Sequence, residues 1–290
     1  MLKANNSIRE SENSKKDFNA ALLVTVLILL TIIPKFIITK VFDNVLSSEG
    51  YLLAMLYVTG ISCILIYIFA RRVLSRNNKS LGLTNPKRGK NYLKGALIGF
   101  VAMTGVFLQL KVYQLSDISF NYQNISPALF LAFILGWIIQ GFQEELMCRS
   151  VLMNYFASHN GVKSAIITNS LIFAILHIGN DDFTPLAFVN IFLLGVIFSI
   201  LFYISDDIFL PAAAHSFWNL TQGNIYGLNV SGISKSSTSL IKTRLTGNEF
   251  LTGGAFGVEA SFLSFIVEVV ILVALSSALR QNKVDVGKNS

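Results

Sequence analysis

Three charged side chains stand together in the stretch GFQEELMCRSV, Gly141–Val151: Glu144, Glu145 and Arg149. The residues before them, from Pro127 onward, are almost wholly apolar. An ionisable group inside a spanning helix is costly and by default marks function, with a partner to be named. Glu145 and Arg149 are four apart with the acid first, the favourable order for a same-face helical pair. Such a guanidinium holds its carboxylate ionised. Glu144 is rotated by about 100° from Glu145, so it points elsewhere and is left free for general-base work. The plainer alternative is that all three are interfacial charges where a helix ends and a loop begins.

Two further groups belong with them. His215 and Asn219, in LPAAAHSFWNL, are also four apart and share a helix face. Both can donate hydrogen bonds toward one point, as an oxyanion requires, or they can simply pack the bundle. His177 closes the apolar run SLIFAILH, and alone it reads equally as a packing histidine. Asn169 and Asn190 are weaker candidates, because a neutral amide can bridge helices. Glu268 is a lone acid in the last apolar segment.

The elements that must position these groups are membrane helices. The chain has 290 residues, 53% hydrophobic and 13% charged, with a mean hydropathy of +0.59. Soluble domains carry about a quarter charged residues. Apolar runs long enough to cross a bilayer, about 20 residues each, start near Ala20, Tyr51, Gly95, Pro127, Ser164, Pro185, Ile208 and Ala260, the fifth and seventh being short. Continuous rather than alternating runs favour helices over a barrel. The expected fold is therefore all-α, a polytopic membrane bundle of about eight transmembrane helices over residues 20–280. A polar tail at 1–19 and a short tail at 281–290 flank it.

The loops set orientation. Arg71–Lys94 carries eight Lys or Arg and no acid, whereas Thr39–Gly50 carries one Lys, one Asp and one Glu. The positive-inside rule places the basic loop, and with it both termini, in the cytoplasm of a multi-pass cell-membrane protein. The net charge of +7 is then a topology signal and no nucleic-acid footprint; docking on anionic lipid of the bilayer is a second use of the loop. The first nineteen residues contain acids and lack a cleavage site, unlike a signal peptide. Cys63 and Cys148 form no disulfide framework.

Depth is harder to reconcile. Counting from the turn Ser158–Gly161, Glu145 and His177 reach a similar depth, roughly 22–26 Å away at 1.5 Å per residue. His215 lies only about seven residues into its own segment, which starts from the same side. Either some helices are long and tilted, or one is broken, with Pro185 and Pro211 as places for irregularity.

The motifs EELMCR, FAILH (Phe173–His177) and HSFWN (His215–Asn219) resemble the EExxxR, FxxxH and HxxxN motifs of the CAAX prenyl protease and bacteriocin-processing (CPBP, Abi) family of intramembrane peptidases, including lysostaphin-resistance-like bacterial members. The resemblance covers a core at about 127–223, and Leu251–Ser261 also looks like a stretch found in many bacterial members. It implies an eight-helix bundle with a cavity opening to the cytosol. It matches Glu144 to a water-activating glutamate, His177 to its assistant, Glu145 and Arg149 to a supporting pair, and His215 and Asn219 to oxyanion stabilisers. Ser150 stands where the family usually has Gly.

The activity implied is hydrolysis of a peptide bond in a membrane-associated protein or peptide. Two chemistries stay open: a metal-free one, and a zinc enzyme in which Glu144, His177 and His215 hold the ion beside an open position. No HExxH helix is present. Two other classes compete, a proton-coupled transporter and a non-catalytic immunity protein that sequesters a peptide.

Overall fold

Capping side chains and apolar runs together define the helices. The computed structural model describes residues 2–14, 18–42, 45–121, 125–234 and 236–288, the last nine of these by backbone alone. Residues 15–17, Asp43 of the Thr39–Gly50 loop and the last two of the C-terminal tail lie outside them. The elements in chain order are α1 (Asn6–Asn13), α2 (Ala20–Phe42), α3 (Ser48–Arg72), α4 (Arg88–Val112), β1 (Ser116–Phe120), α5 (Pro127–Glu145), α6 (Asn154–Asn160), α7 (Val162–Ile175), α8 (Pro185–Ser205), α9 (Phe209–Leu220), β2 (Ile241–Leu245), α10 (Glu249–Thr252) and α11 (Phe262–Lys288). A π-helical stretch, Leu146–Met153, joins α5 to α6, and another, Thr221–Ile225, extends α9.

The fold is a mostly helical, polytopic bundle. Among the described residues six helices are long and apolar enough to cross a membrane: α2, α3, α4, the continuous Pro127–Asn160 helix, α8, and the Phe262–Leu279 part of α11. The fifth and seventh apolar segments are the short α7 and α9, of 14 and 12 residues. All eight apolar segments are thus helical, but only six have spanning length.

Pro185 does not break a helix. It opens α8 at a first-turn position, after Thr184, whose side chain accepts from the Ala187 amide. Ser126 and Pro127 open α5 in the same way. Proline lacks an amide hydrogen that the first turn does not need, so this is a start signal. Pro211 likewise lies in the first turn of α9. The irregularity sits instead in the two π-helical stretches, one following Glu144 and Glu145 and containing Arg149, the other following Asn219, and π turns recur in functional helices.

The two ends of the bundle differ. One end gathers α1, the basic loop between α3 and α4, the Asn160–Val162 turn and the α8–α9 turn. There Tyr155 Oη donates to the Phe18 carbonyl at 2.5 Å, Ser150 Oγ to Leu81 at 2.7 Å and Asn154 Nδ2 to Ser80 at 2.8 Å. Ser150 and Asn154 therefore tie the basic loop to the motif helix. The other end carries the β1–β2 ribbon, antiparallel with Ser116 opposite Leu245 and Phe120 opposite Ile241. The α7–α8 loop, α10 and the Leu251–Ser261 stretch lie at that end too.

Small residues bring α9 into the centre. A Cβ on Gly95 or Gly99 of α4 would collide with the carbonyl oxygens of Leu210 and Ala214, and one on Gly141 of α5 with Ser216 Oγ. Without a hydrophobic force between helices in lipid, close backbone approach is what holds such a packing together. Apolar side chains such as Leu22, Leu29, Ile33, Phe36 and Ile37 of α2 stay exposed, a lipid-facing surface on a peripheral helix.

Candidate functional site

Glu145 and Arg149 meet as the spacing predicts. Arg149 Nη1 donates to Glu145 Oε1 at 3.0 Å, and neither side chain has any exposure. Arg149 Nη2 reaches across to the Gly195 carbonyl of α8 at 3.0 Å. Its guanidinium lies between the rings of Phe173 (4.7 Å to the centroid) and Phe198 (5.5 Å). The ion pair thus ties α5 and its π extension to α8 and α7, with two aromatic faces as the remaining solvation.

The same Glu145 oxygen receives His215 from α9. Nδ1 of His215 lies 2.9 Å from Glu145 Oε1, and with a carboxylate as acceptor that nitrogen is the donor. His215 also stacks on Phe198, 5.0 Å between centroids at 13°. Its Nε2 is thereby aimed at Glu144, 3.8 Å from Oε2. Glu144 accepts from Gln140 Nε2 through Oε1 at 2.6 Å, while its Oε2 has no hydrogen-bond partner. Gln140 Oε1 accepts in turn from Asn219 Nδ2 at 3.0 Å. Glu144, Gln140 and Asn219 form one chain across α5 and α9.

His177 lies just beyond α7, where the chain has left the regular helix. Its Nδ1 is 2.8 Å from the Phe173 carbonyl. A carbonyl can only accept, so Nδ1 carries the hydrogen and Nε2 is free. Glu144, His177, His215 and Asn219 all line one cavity of about 350 Å³, whose other walls include Ile28, Lys35, Met55 and Leu176. Glu145 and Arg149 sit behind it.

Depth is resolved by helix length. Glu145 lies about 22 Å from the Asn160 turn and His215 only about 10 Å from Ile208, at 1.5 Å per residue. Since the two side chains touch, the Asn160 turn projects roughly 12 Å beyond the α8–α9 turn. Pro127–Asn160 is a 34-residue helix, and α6 is its protruding end, packed on α1.

Four residues were not legible as site residues in the sequence. Gln140 is a neutral amide in an apolar helix, and its only signal is the four-residue spacing to Glu144. Lys35 is a lone cation in an apolar run, visible by the same rule that singled out the acids. Ser231 and Glu259 come from the loops. Glu259 Oε2 accepts from the Ser231 amide (2.6 Å) and hydroxyl (2.7 Å), and its Oε1 from Trp218 Nε1 at 3.2 Å. Asn190 Nδ2 donates to the Glu259 and Ser261 carbonyls. The Leu251–Ser261 stretch is thereby fastened to the cavity wall. Asn169 bridges to Ser199 at 3.1 Å and is part of packing. Glu268 is fully buried, with neither oxygen hydrogen-bonded.

The donor set bears on a metal. Among the described residues no three His, Cys, Asp or Glu side chains are gathered as a ligand set. Glu144, His177 and His215 share a cavity but do not converge as zinc ligands would, about 2.0–2.2 Å from one point.

Residues 126–221 match the family model described as Type II CAAX prenyl endopeptidase Rce1-like. The matched segment contains all six candidate site residues and agrees with the resemblance that the three motifs carry. With the six apolar helices, it supports a multi-pass, membrane-embedded peptidase. No curated protein is significantly similar to the chain.

The cavity opens toward one identifiable end of the bundle. The cavity continues at Leu52, Met55, Asn180, Ser231 and Ile233 into a second hollow of about 640 Å³, lined by the α2–α3 and α7–α8 loops and Ser231–Ser234. That is the end opposite the Arg71–Lys94 loop. A cytosolic basic loop and a cavity opening to the cytosol therefore cannot both hold.

Proposed function

We propose that the protein is an intramembrane endopeptidase in which Glu144 is the general base. The observation that carries this reading is the unpartnered Glu144 Oε2, facing a cavity shared with His177, His215 and Asn219. A water held between Glu144 and the free Nε2 of His177 loses its proton to Glu144 as its oxygen attacks the scissile carbonyl. The carbonyl π electrons move onto oxygen, and the oxyanion accepts hydrogen bonds from Asn219 Nδ2 and from Nε2 of protonated His215. Each such donor is worth about 3–4 kcal/mol in comparable sites. Collapse of the tetrahedral species breaks the C–N bond, and Glu144 returns the proton to the leaving amine.

Gln140, Glu145 and Arg149 are positioning residues. Gln140 fixes both the Glu144 carboxylate and the Asn219 amide. Glu145, held by Arg149, pins His215 through Nδ1 so that Nε2 faces the reacting atoms. No step passes through a metal. The substrate is a membrane-associated peptide segment, which the apolar walls of Ile28, Leu52 and Leu176 can accommodate.

The test is cleavage of a quenched peptide library by detergent-purified protein, beside Glu144→Ala, with and without chelator. Cleavage that the substitution abolishes and chelation spares is expected. Loss under chelation with recovery on zinc overturns the metal-free mechanism. Cleavage surviving Glu144→Ala overturns the assignment of the base.

A further inference from the structure

The direction in which the cavity opens carries information on what the enzyme acts upon. From Glu144 the cavity runs past Met55 and Asn180 to a hollow of about 640 Å³ at the end of the bundle formed by Phe42, Leu46, Ser48, Tyr51, Gly179–Asp181 and Ser231–Ser234. Five residues line both spaces, so the two are one passage. At the opposite end the helices close over the site: Leu146, Met147, Cys148, Val151, Leu152 and Met153, the turns beyond Glu145, are all buried. Ser150 and Asn154 are tied to Leu81 and Ser80 of the basic loop, which seals that side.

Charge fixes which end is which. The closed end carries Arg71–Lys94, with eight cations and no acid, and residues 178–184 at the open end carry Asp181 and Asp182 and no cation. The Gly227–Gly257 excursion holds Lys235, Lys242 and Arg244 against Glu249, fewer cations in a longer segment. Lys and Arg in short loops near the membrane determine orientation, and long loops count for less.

We propose that the passage takes its substrate from the extracytoplasmic face, so that the peptide class cleaved is a translocated or secreted polypeptide segment reaching the membrane from outside. The inference rests on the peptidase reading for its substrate and on loop charge and cavity geometry for its direction. An extended chain enters between the α2–α3 loop and Ser231–Ser234 and runs past Lys35 and the apolar wall of α2 to Glu144. Ser231 and Asn180, joined by a 2.8 Å hydrogen bond, form the rim that the chain must pass.

Two sealed-membrane measurements test it, and the first needs no catalysis. Ile233→Cys at the hollow and Lys87→Cys on the basic loop are labelled with a membrane-impermeant maleimide in right-side-out vesicles, with the wild-type protein as background. Both positions are exposed. Labelling of Ile233→Cys in intact vesicles, and of Lys87→Cys only after permeabilisation, is expected. The reverse pattern, or equal labelling in vesicles that retain an entrapped dye, overturns the direction. The second measurement adds an impermeant quenched peptide, already cleaved in detergent, to vesicles of each orientation. Cleavage by right-side-out vesicles alone is expected, and cleavage by inverted vesicles alone overturns the inference. Absence of cleavage in detergent sinks the peptidase reading while leaving the labelling result to decide the direction.

Discussion

Glu145→Gln isolates what the buried ion pair contributes. The change preserves shape and leaves an amide oxygen that can still accept from His215 Nδ1 and from Arg149 Nη1, but it removes the only charge bonded to a fully buried guanidinium. Arg149 keeps its bond to the Gly195 carbonyl and the two aromatic faces. These are present in the wild type as well, so they offset nothing of the loss. Removing one partner of a buried pair costs about 3–5 kcal/mol in soluble proteins, whereas a neutral interhelical hydrogen bond in a membrane averages about 0.6 kcal/mol. An uncompensated charge belongs to the first class, and we expect about 3 kcal/mol. At roughly 2–4 °C per kcal/mol for a chain of this size, melting in detergent falls by about 6–12 °C. Adding Arg149→Met removes the stranded charge and fills its volume, so the double variant recovers at least half of the loss, the coupling a double-mutant cycle reads. Melting of Glu145→Gln within about 2 °C of wild type would refute the reasoning.

Three further outcomes follow from individual contacts. Gln140→Leu cuts the link between Glu144 and Asn219; a hydrogen bond to a charged group is worth about 1.5–3 kcal/mol, so kcat/KM drops roughly 10–100-fold while melting changes little. Gly141→Val drives a side chain into Ser216 and parts α5 from α9; overpacking costs about 1–3 kcal/mol, visible as lowered melting together with weakened cleavage. At the basic end, Lys79 and Asn77 hold Glu10 below the usual carboxylate range. A depressed acid stabilises at pH above its unfolded value, 4.5, and that stabilisation is lost as pH falls through the folded one. A spin label at Arg9→Cys therefore gains mobility on acidification below the ordinary carboxylate range, and Glu10→Gln removes this pH dependence.

Much of the site could be read before any coordinates because its main signals are local. Glu145 and Arg149 pair through a spacing that one helix enforces, and charges in apolar runs announce themselves. What could not be read is how helices meet. Nothing in the sequence says that His215 bonds Glu145, or that Gln140 stands between Glu144 and Asn219, because these contacts depend on the glycine-mediated approach of α9 to α4 and α5. The prolines at 185 and 211 read as breaks and are starts, because Thr184 caps α8 just before Pro185 and Pro211 falls in the first turn of α9. The apparent misfit in depth came from assuming that two turns lie level, when the Pro127–Asn160 helix runs past the α8–α9 turn. Which end of the bundle the cavity opens to was also beyond the sequence, because the hollow is lined by residues of three separate loops.

Most direct for the central claim is the ratio of kcat/KM between wild type and Glu144→Gln on the best-cleaved peptide, with melting measured alongside. General-base catalysis contributes about 10²–10⁴-fold, so a drop of that size with unchanged melting is the predicted result. A ratio within about tenfold in a normally folded variant would contradict Glu144 as the group that activates water.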